Sequence, residues 1–160
     1  MADLPIFVDD RGSLKIDQLL ASARLFIRRH QVALIVVDYL QIVQAPGRDI
    51  KDQVSYTAKA LRAFAKSENV AVVQLSQLSR PKGKDINARP SMIDLKETGS
   101  IEETSHVVLL PYMPLNDEGK FAAEQELIIG KSRNGSVGSL PVEFDTKRLQ
   151  FRERANAQTA

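Results

Sequence analysis

The 160-residue sequence has no cysteine, only two histidines and few aromatic residues, 6% in all. The absence of cysteine excludes disulfide staples, thiolate metal sites and cysteine nucleophiles, and it is compatible with a reducing compartment. No apolar run approaches the roughly 20 residues of a membrane-spanning helix. The first five residues also lack the basic and apolar regions of a secretory signal. We therefore expect a soluble, cytoplasmic protein that makes no contact with a membrane.

The sequence also has little excess charge of either sign. Its 22 basic residues nearly balance its 20 acidic residues, for a net charge of +2. So small a net charge is no argument for nucleic acid, and such a partner has to be inferred from local clusters. The hydrophobic content of 43% at this length predicts one globular domain with a real core.

The stretch 33–44 is the most informative part of the chain. Its apolar run has no polar alternation, which predicts a strand buried on both faces of a parallel sheet. Asp38 stands where this strand ends, and the ligand crevice of an open α/β sheet lies at the carboxyl ends of its strands. An acid there can hold a metal-bound phosphate. An aspartate that only caps a strand is an equally good interpretation of this stretch alone.

A helix ending near Asn69 and an apolar strand over residues 70–75 are predicted next. Strand, helix and strand together predict a right-handed parallel crossover, which places Ser76 and Gln77 beside Asp38. A glutamine there can donate to a phosphate oxygen or orient an attacking water. A polar residue that merely ends a strand is about as common. Upstream, we expect a short strand at residues 6–8 and a helix capped by Ser13.

Two polar segments follow. Residues 79–90 carry four cations against one carboxylate and predict a basic loop suited to phosphate contact, although a solvated charged loop is the simpler interpretation. In residues 94–102, Gly99 permits a tight turn, and Ser100 with Glu103 forms a capping-box pattern. Exposed amides and Lys96 would together suit an anion.

The last part of the chain predicts a buried strand at 106–110, antiparallel strands at 125–130 and 137–144, and an edge strand at 147–151. Asn134 and Gly135 favour a hairpin turn between the antiparallel pair. Lys131 and Arg133 would then project from the hairpin tip. They are either an exposed basic turn or two cations able to reach a neighbouring subunit.

Four of these segments, in this order, resemble the C-terminal motor domain of the DnaB-type replicative hexameric helicases, a RecA-like ATPase family. Residues 36–41 are similar to its Walker B strand and residues 75–80 to its third helicase motif. Residues 94–102 resemble its DNA-contacting motif, and residues 129–135 its arginine-finger hairpin. The resemblance covers residues 4–151, nearly the whole chain.

The resemblance implies an α/β, RecA-like P-loop NTPase fold with a mostly parallel sheet flanked by helices and a C-terminal antiparallel hairpin. We expect this partial motor domain at residues 1–152 and a disordered tail at residues 153–160. The implied cofactors are ATP and Mg²⁺. The implied partners are single-stranded DNA and further copies of the chain in a homo-hexamer, with nucleotide sites between adjacent subunits.

The resemblance also implies roles for single residues. Asp38 holds Mg²⁺ through water and Gln77 senses the γ-phosphate, while Lys131 and Arg133 reach the nucleotide of the adjacent subunit. The DNA-binding candidates are Lys96, Glu97 and Gly99 in the central channel, together with Arg80, Lys82 and Lys84 of the basic loop.

Two features depart from the family pattern. The family usually has arginine where Lys96 stands, and lysine meets a phosphate as a point charge without the bidentate fork. The 160 residues also contain no G-x-x-x-x-G-K-[ST] phosphate loop and no catalytic-glutamate segment, so the phosphate-loop strand is missing from the predicted sheet. We expect the chain alone to be marginally stable and inactive, and the complete protein to be an ATP-dependent DNA helicase.

Three functions remain open on the sequence. The chain is part of a helicase that couples ATP hydrolysis to translocation and duplex unwinding, or a non-enzymatic module that joins rings or binds single strands. The third is a related RecA-like ATPase of recombination or regulation. Lys131, Arg133 and residues 94–102 favour the helicase over the third function, whereas the missing phosphate loop keeps the second open.

Overall fold

The computed structural model describes residues 4–78, 87–96 and 100–154, except for the side chain of Lys96. The chain divides into two compact units. The first comprises Met1–Leu78 with Glu97–Thr104, and the second comprises Ser79–Lys96 with Ser105–Ala160. Each unit is described by itself below.

The helices and strands of the described residues are few and mostly short. In chain order they are α1 (Ile16–His30), β1 (Leu34–Val37), α2 (Ile50–Glu68), β2 (Ala71–Gln74), α3 (Ile93–Lys96), α4 (Ile101–Thr104), β3 (Val107–Tyr112), β4 (Gln125–Ser132), β5 (Gly138–Asp145) and β6 (Gln150–Glu153). A single 3₁₀ turn, Leu40–Ile42, follows β1.

In the first unit, β1 and β2 pair in parallel, from Leu34 opposite Ala71 to Val37 opposite Gln74. The helix between them, α2, begins where the Asp49 carboxylate accepts the N–H of Asp52 at 2.8 Å. It ends at Asn69, which takes the left-handed conformation that commonly terminates helices, with φ of 55°. The predicted parallel crossover is confirmed, and so is the helix end near Asn69.

The core of the first unit joins α1, α2, α4 and the turn after β1. Its deepest apolar side chains are Leu40, Val54, Ala58 and Leu61, each at most 1% exposed. The apolar faces of α1 and α2 therefore meet in one cluster. This cluster supports the chain segment that follows β1.

The prediction that β1 is buried on both faces is wrong for the described residues. Leu34 and Val36 are 51% and 57% exposed, whereas Val37 is buried. Val73 and Leu75 of the neighbouring strand are likewise 47% and 40% exposed. Described side chains thus cover one face of this strand pair and leave an apolar face open.

Two predictions near the N-terminus are wrong. Residues 6–8 form no strand, because Phe7 instead stacks on His30, with ring centroids 4.2 Å apart. Ser13 does not cap α1. Its hydroxyl accepts a hydrogen bond from Gln44 Nε2 at 3.0 Å, and α1 begins at Ile16.

The second unit contains a four-stranded antiparallel sheet in the order β3-β4-β5-β6. β4 and β5 form the predicted hairpin, and β3 and β6 extend it on either side. β3 alternates between buried residues such as Val108 and half-exposed ones such as Leu109, so it is not the fully buried strand that its apolar run predicts. The predicted α/β class is confirmed. Antiparallel pairing is more extensive among the described residues than a single hairpin would give.

The end of the described chain belongs to this sheet. Glu153 lies in β6, and Arg154 donates its backbone N–H to the Pro141 carbonyl at 3.2 Å and its guanidinium to the Ala123 carbonyl at 2.7 Å. The sheet therefore extends past the predicted boundary at residue 152. Residues 155–160 of the predicted tail lie outside the described residues. Within the described ranges, no helix is long and apolar enough to cross a membrane.

Candidate functional site

The carboxyl ends of β1 and β2 are joined by backbone hydrogen bonds. Leu75 donates its N–H to the Val37 carbonyl at 3.0 Å, and Leu40 donates its N–H to the Leu75 carbonyl at 2.9 Å. Asp38 lies between Val37 and Leu40, which make these bonds, and its side chain is exposed. The Asp38–Tyr39 peptide bond is cis. The two predicted nucleotide-site segments therefore leave the sheet side by side.

Gln41 connects these segments through its side chain. Its Nε2 donates to the Ser76 hydroxyl at 2.9 Å, and its Oε1 accepts the backbone N–H of Gln77 at 3.3 Å. The amide thereby holds the backbone of Gln77 at a set place relative to the turn that follows Asp38. Gln41 has no role in the sequence-based predictions, since its partners are 35 and 36 residues away.

The two predicted cations lie at the end of β4. The prediction that Lys131 lies on the hairpin tip is wrong. Lys131 lies within β4, opposite Val108. Arg133 is the first residue beyond the strand, and its backbone N–H donates to the His106 carbonyl at 3.0 Å. Antiparallel pairing with β3 extends the strand through Lys131, so this cation is half-buried while Arg133 is exposed.

A β-bulge lies immediately before Lys131. Val108 pairs with Lys131 but Leu109 pairs with Ile129, so Gly130 is an extra residue in β4. A Cβ atom added to Gly130 would lie 2.6 Å from Sδ of Met92. The strand thus passes close to the segment that precedes α3, and a glycine allows that approach.

The predicted DNA contacts fall largely outside the described residues. Lys96 is the last residue of α3, but its side chain is not described. Glu97 and Gly99 lie outside the described residues, as do Arg80, Lys82 and Lys84 of the basic loop. Their contacts with single-stranded DNA stay predictions.

Ser100, within the segment 94–102, is bound differently from the predicted capping box. Its backbone N–H donates to the Ser55 hydroxyl of α2 at 3.1 Å, and its carbonyl accepts the Thr104 hydroxyl at 2.9 Å. Its own Oγ is buried and makes no hydrogen bond with another described residue. The prediction of a side-chain cap by Ser100 is wrong, because α2 supplies the partner for the backbone amide.

Within the described part of the chain, no three histidine, aspartate or glutamate side chains come together as metal ligands. Asp38 nevertheless fits Mg²⁺ as one oxygen donor. This ion commonly binds to one or two carboxylates and completes its coordination with waters and substrate phosphates. An exposed carboxylate at the end of a parallel strand suits that mode of binding.

The structure contains a parallel strand pair with an acid and a glutamine at its carboxyl ends, the helix α2 and a set of antiparallel strands. These elements define an ATPase fold of the RecA-like class. One solved ATPase domain has this fold, with a TM-score of 0.77 and 25% identity over 90% of this chain and 53% of that one. The family described as "DnaB-like helicase C terminal domain" matches residues 1–153. The chain belongs to this family.

Further relatives support the same assignment. A solved DnaB-like replicative helicase, whose structure was determined with its interactions with primase, has a TM-score of 0.72 and 26% identity over 86% of this chain and 34% of that one. The replicative DNA helicase DnaB of Geobacillus stearothermophilus is 34% identical over 156 residues, which cover 94% of this chain and 34% of the relative. The probable replicative DNA helicase of Trieres chinensis is 33% identical over 160 residues, which cover 94% of this chain and 35% of the relative. The chain therefore spans about a third of the length of these curated relatives.

Proposed function

We propose that this chain is part of the motor of a hexameric replicative DNA helicase, which couples ATP hydrolysis to translocation on single-stranded DNA and to duplex unwinding. Its family and its curated relatives support this function. The structural observation that carries the proposal is the joined pair of strand ends, where Gln41 ties Gln77 to the turn after Asp38. Because the two strand ends are joined by these hydrogen bonds, they can move together when a phosphate binds.

Asp38 is proposed to hold Mg²⁺ through water on the β- and γ-phosphates of ATP. The ion would neutralise charge on the phosphate oxygens. Asp38 is exposed at the strand end, where it is accessible to such an ion. Gln77, on the adjacent strand end, is proposed to sense the γ-phosphate through its side-chain amide.

Lys131 and Arg133 are proposed to act on the nucleotide of an adjacent subunit. The antiparallel sheet and the bond from Arg133 N–H to the His106 carbonyl hold their backbone in place. Cations placed in this way can stabilise the negative charge that develops on the transferred phosphoryl group. This role requires a ring, so we propose a homo-hexamer in the cytoplasm with single-stranded DNA in its channel.

A non-enzymatic module that joins rings or binds single strands is the second candidate. The observation that favours it is the lack of a phosphate-loop motif in the 160 residues. Asp38 and Gln77 would then have no role in turnover. The two functions differ in whether changing Asp38 alters ATP hydrolysis.

The test compares Asp38→Asn with Asp10→Asn in the complete motor, in which a phosphate-loop segment is present. Asp10 is a second exposed carboxylate of the first unit. We expect Asp38→Asn to abolish Mg²⁺-dependent ATP hydrolysis and duplex unwinding, and Asp10→Asn to retain both. ATP hydrolysis and unwinding at the unmodified rate by Asp38→Asn would contradict the proposal, because this chain would then contribute no catalytic residue at Asp38.

A further inference from the structure

The first unit contains a surface cavity, widely open to solvent, that no predicted role uses. It lies between the loop that precedes α2 and one face of that helix, with a volume of about 460 Å³. Its lining residues are Pro46, Gly47, Arg48, Asp52, Ser55, Tyr56 and Lys59. The lining combines one aromatic ring with two cations and a single carboxylate.

The loop side of the cavity is held against α2 by close packing at Gly47. A Cβ atom on Gly47 would lie 2.6 Å from the backbone nitrogen of Gln53 and 2.8 Å from Cβ of Asp52. Both are closer than a real Cβ contact allows, so the loop can approach the helix only with glycine here. This approach sets the position of Arg48 at the rim.

The Asp52 carboxylate is already occupied by its own chain. Arg48 donates both its backbone N–H and its Nε to Asp52 Oδ2, each at 3.2 Å, and these bonds lower the pKa of Asp52. The Arg48 side chain as a whole is nevertheless 94% exposed. The one acid of the cavity is thus paired with both the backbone and the guanidinium of Arg48, and the other N–H groups of this exposed guanidinium remain accessible to an anion.

Tyr56 and Lys59 supply the helix side of the cavity. They are three residues apart on α2, so their side chains lie on neighbouring parts of one helix face. Tyr56 is 45% exposed and Lys59 is exposed as well. A solvent-accessible aromatic ring that shares one cavity with two cations offers a stacking surface and two phosphate-binding groups.

The same helix holds the end of the segment predicted to contact DNA, residues 94–102, and the residue that follows it. Ser55, which precedes Tyr56, accepts the backbone N–H of Ser100 at 3.1 Å. Two turns further along α2, Arg62 donates to the Glu103 carbonyl at 3.4 Å. The cavity therefore lies on a helix that is hydrogen-bonded both to Ser100 within the DNA-contacting segment and to Glu103 just after it.

We propose that this cavity is an additional contact for single-stranded DNA, in which Tyr56 stacks on an unpaired base while Lys59 and Arg48 meet backbone phosphates. The inference rests on the proposed function, since DNA is the strand along which the motor moves. A base reaches the face of a tyrosine ring only when it is unpaired, so the site distinguishes single strands from duplex. Stacking is tolerant of sequence, as a translocating motor requires.

The first experiment measures binding of fluorescent oligothymidylate to the complete motor without ATP, over a range of salt concentrations. Tyr56→Ala should weaken binding by about 5- to 100-fold with little change in the salt slope, while Tyr56→Phe retains the affinity. Lys59→Gln should lower the salt slope by about 0.7. ATP hydrolysis in the absence of DNA should be unchanged in all three variants.

A second probe separates stacking from a structural effect. On an abasic oligonucleotide of the same length, which has phosphates but no bases, Tyr56→Ala should bind as well as the unmodified motor. Equal losses on both strands, or no loss on oligothymidylate, would overturn the proposal. A ribo-oligomer that binds more tightly with the same dependence on Tyr56 would reassign the cavity to RNA. Because these measurements need no turnover, an inactive motor that still shows the base-dependent effect would contradict only the proposed function.

Discussion

Gln41 is the side chain on which the joined strand ends depend most directly. We expect Gln41→Ala in the complete motor to lower the rate of ATP hydrolysis about 5- to 10-fold, because one net hydrogen bond of about 1 kcal/mol no longer positions Gln77. ATP binding should change little, since Gln41 is not itself a predicted phosphate contact. Steady-state kinetics would separate the two effects.

Gln44→Ala is the matched control for that change. It removes a glutamine side chain of the same unit that makes an exposed hydrogen bond, from Gln44 Nε2 to the Ser13 hydroxyl, but does not contact Gln77. Its rate of hydrolysis should stay close to that of the unmodified motor. Equal losses in the two variants would mean that Gln41 contributes to general stability and not to the position of Gln77.

Arg133 is expected to act across a subunit boundary. Arg133→Ala in a complete ring should lower ATP turnover by the order of 10³, as arginine fingers do, while nucleotide binding remains nearly intact. Arg148→Ala, which removes another exposed arginine of the second unit, is the control. Turnover is measured by phosphate release from assembled rings.

A mixing experiment tests the direction of the effect. Rings assembled from Arg133→Ala and Asp38→Asn subunits contain some boundaries at which an intact Asp38 faces an intact Arg133. These boundaries should recover part of the turnover that either variant lacks alone. If mixed rings are no more active than the parent variants, Arg133 does not act in trans.

At the scale of elements, the loop before α2 is the part most sensitive to a small change. Gly47→Ala should destabilise the chain by about 1–3 kcal/mol, because the new methyl group meets the α2 backbone and not a flexible side-chain end. Gly12→Ala is the control, since a Cβ atom there meets nothing within 4 Å. Urea unfolding followed by circular dichroism measures both, and similar midpoints would show that the loop can move away from α2 at no cost.

The elements that the sequence predicted well depend on neighbours in the chain. Asn69 marks the end of α2, and the apolar runs around it mark the two parallel strands, because capping and hydrophobic pattern act over a few residues. The errors involve partners distant in sequence. Phe7 is drawn to His30, and Ser13 is drawn to Gln44 across 31 residues. The sequence pattern around Phe7 and Ser13 does not indicate either partner.

The candidate site divides in the same way. Asp38 and Gln77 can be named from the sequence, since Asp38 directly follows one apolar strand and Gln77 lies two residues after the predicted strand 70–75. The sequence gives no role to Gln41, because its partners are distant in the chain. The sequence also predicts the end of β4 too early, and so places Lys131 on the hairpin tip, because the length of β4 depends on its pairing with β3. Tyr56 lies in none of the four motif segments of the sequence. Its exposure beside two cations emerges only when the loop and α2 are placed together.

For the molecule as a whole, we predict that the 160-residue chain alone hydrolyses no ATP. Phosphate-loop enzymes bind triphosphate with backbone amides and a lysine around the β- and γ-phosphates, and this sequence has no such motif. Phosphate release by the purified chain with Mg²⁺ and single-stranded DNA should equal the background. Turnover that is lost in Asp38→Ala would contradict the prediction and place a nucleotide site within this chain.

The open apolar face of the β1 and β2 pair has a calorimetric consequence. Unfolding normally raises the heat capacity by about 12–15 cal/mol/K per residue, because buried apolar surface becomes hydrated. Leu34, Val36 and Val73 are already about half hydrated in the folded chain, so unfolding exposes less new surface. The unfolding enthalpy of this chain should therefore rise less steeply with temperature than that of a fully covered domain of equal length. Any polypeptide that covers this face should bind with a negative change in heat capacity.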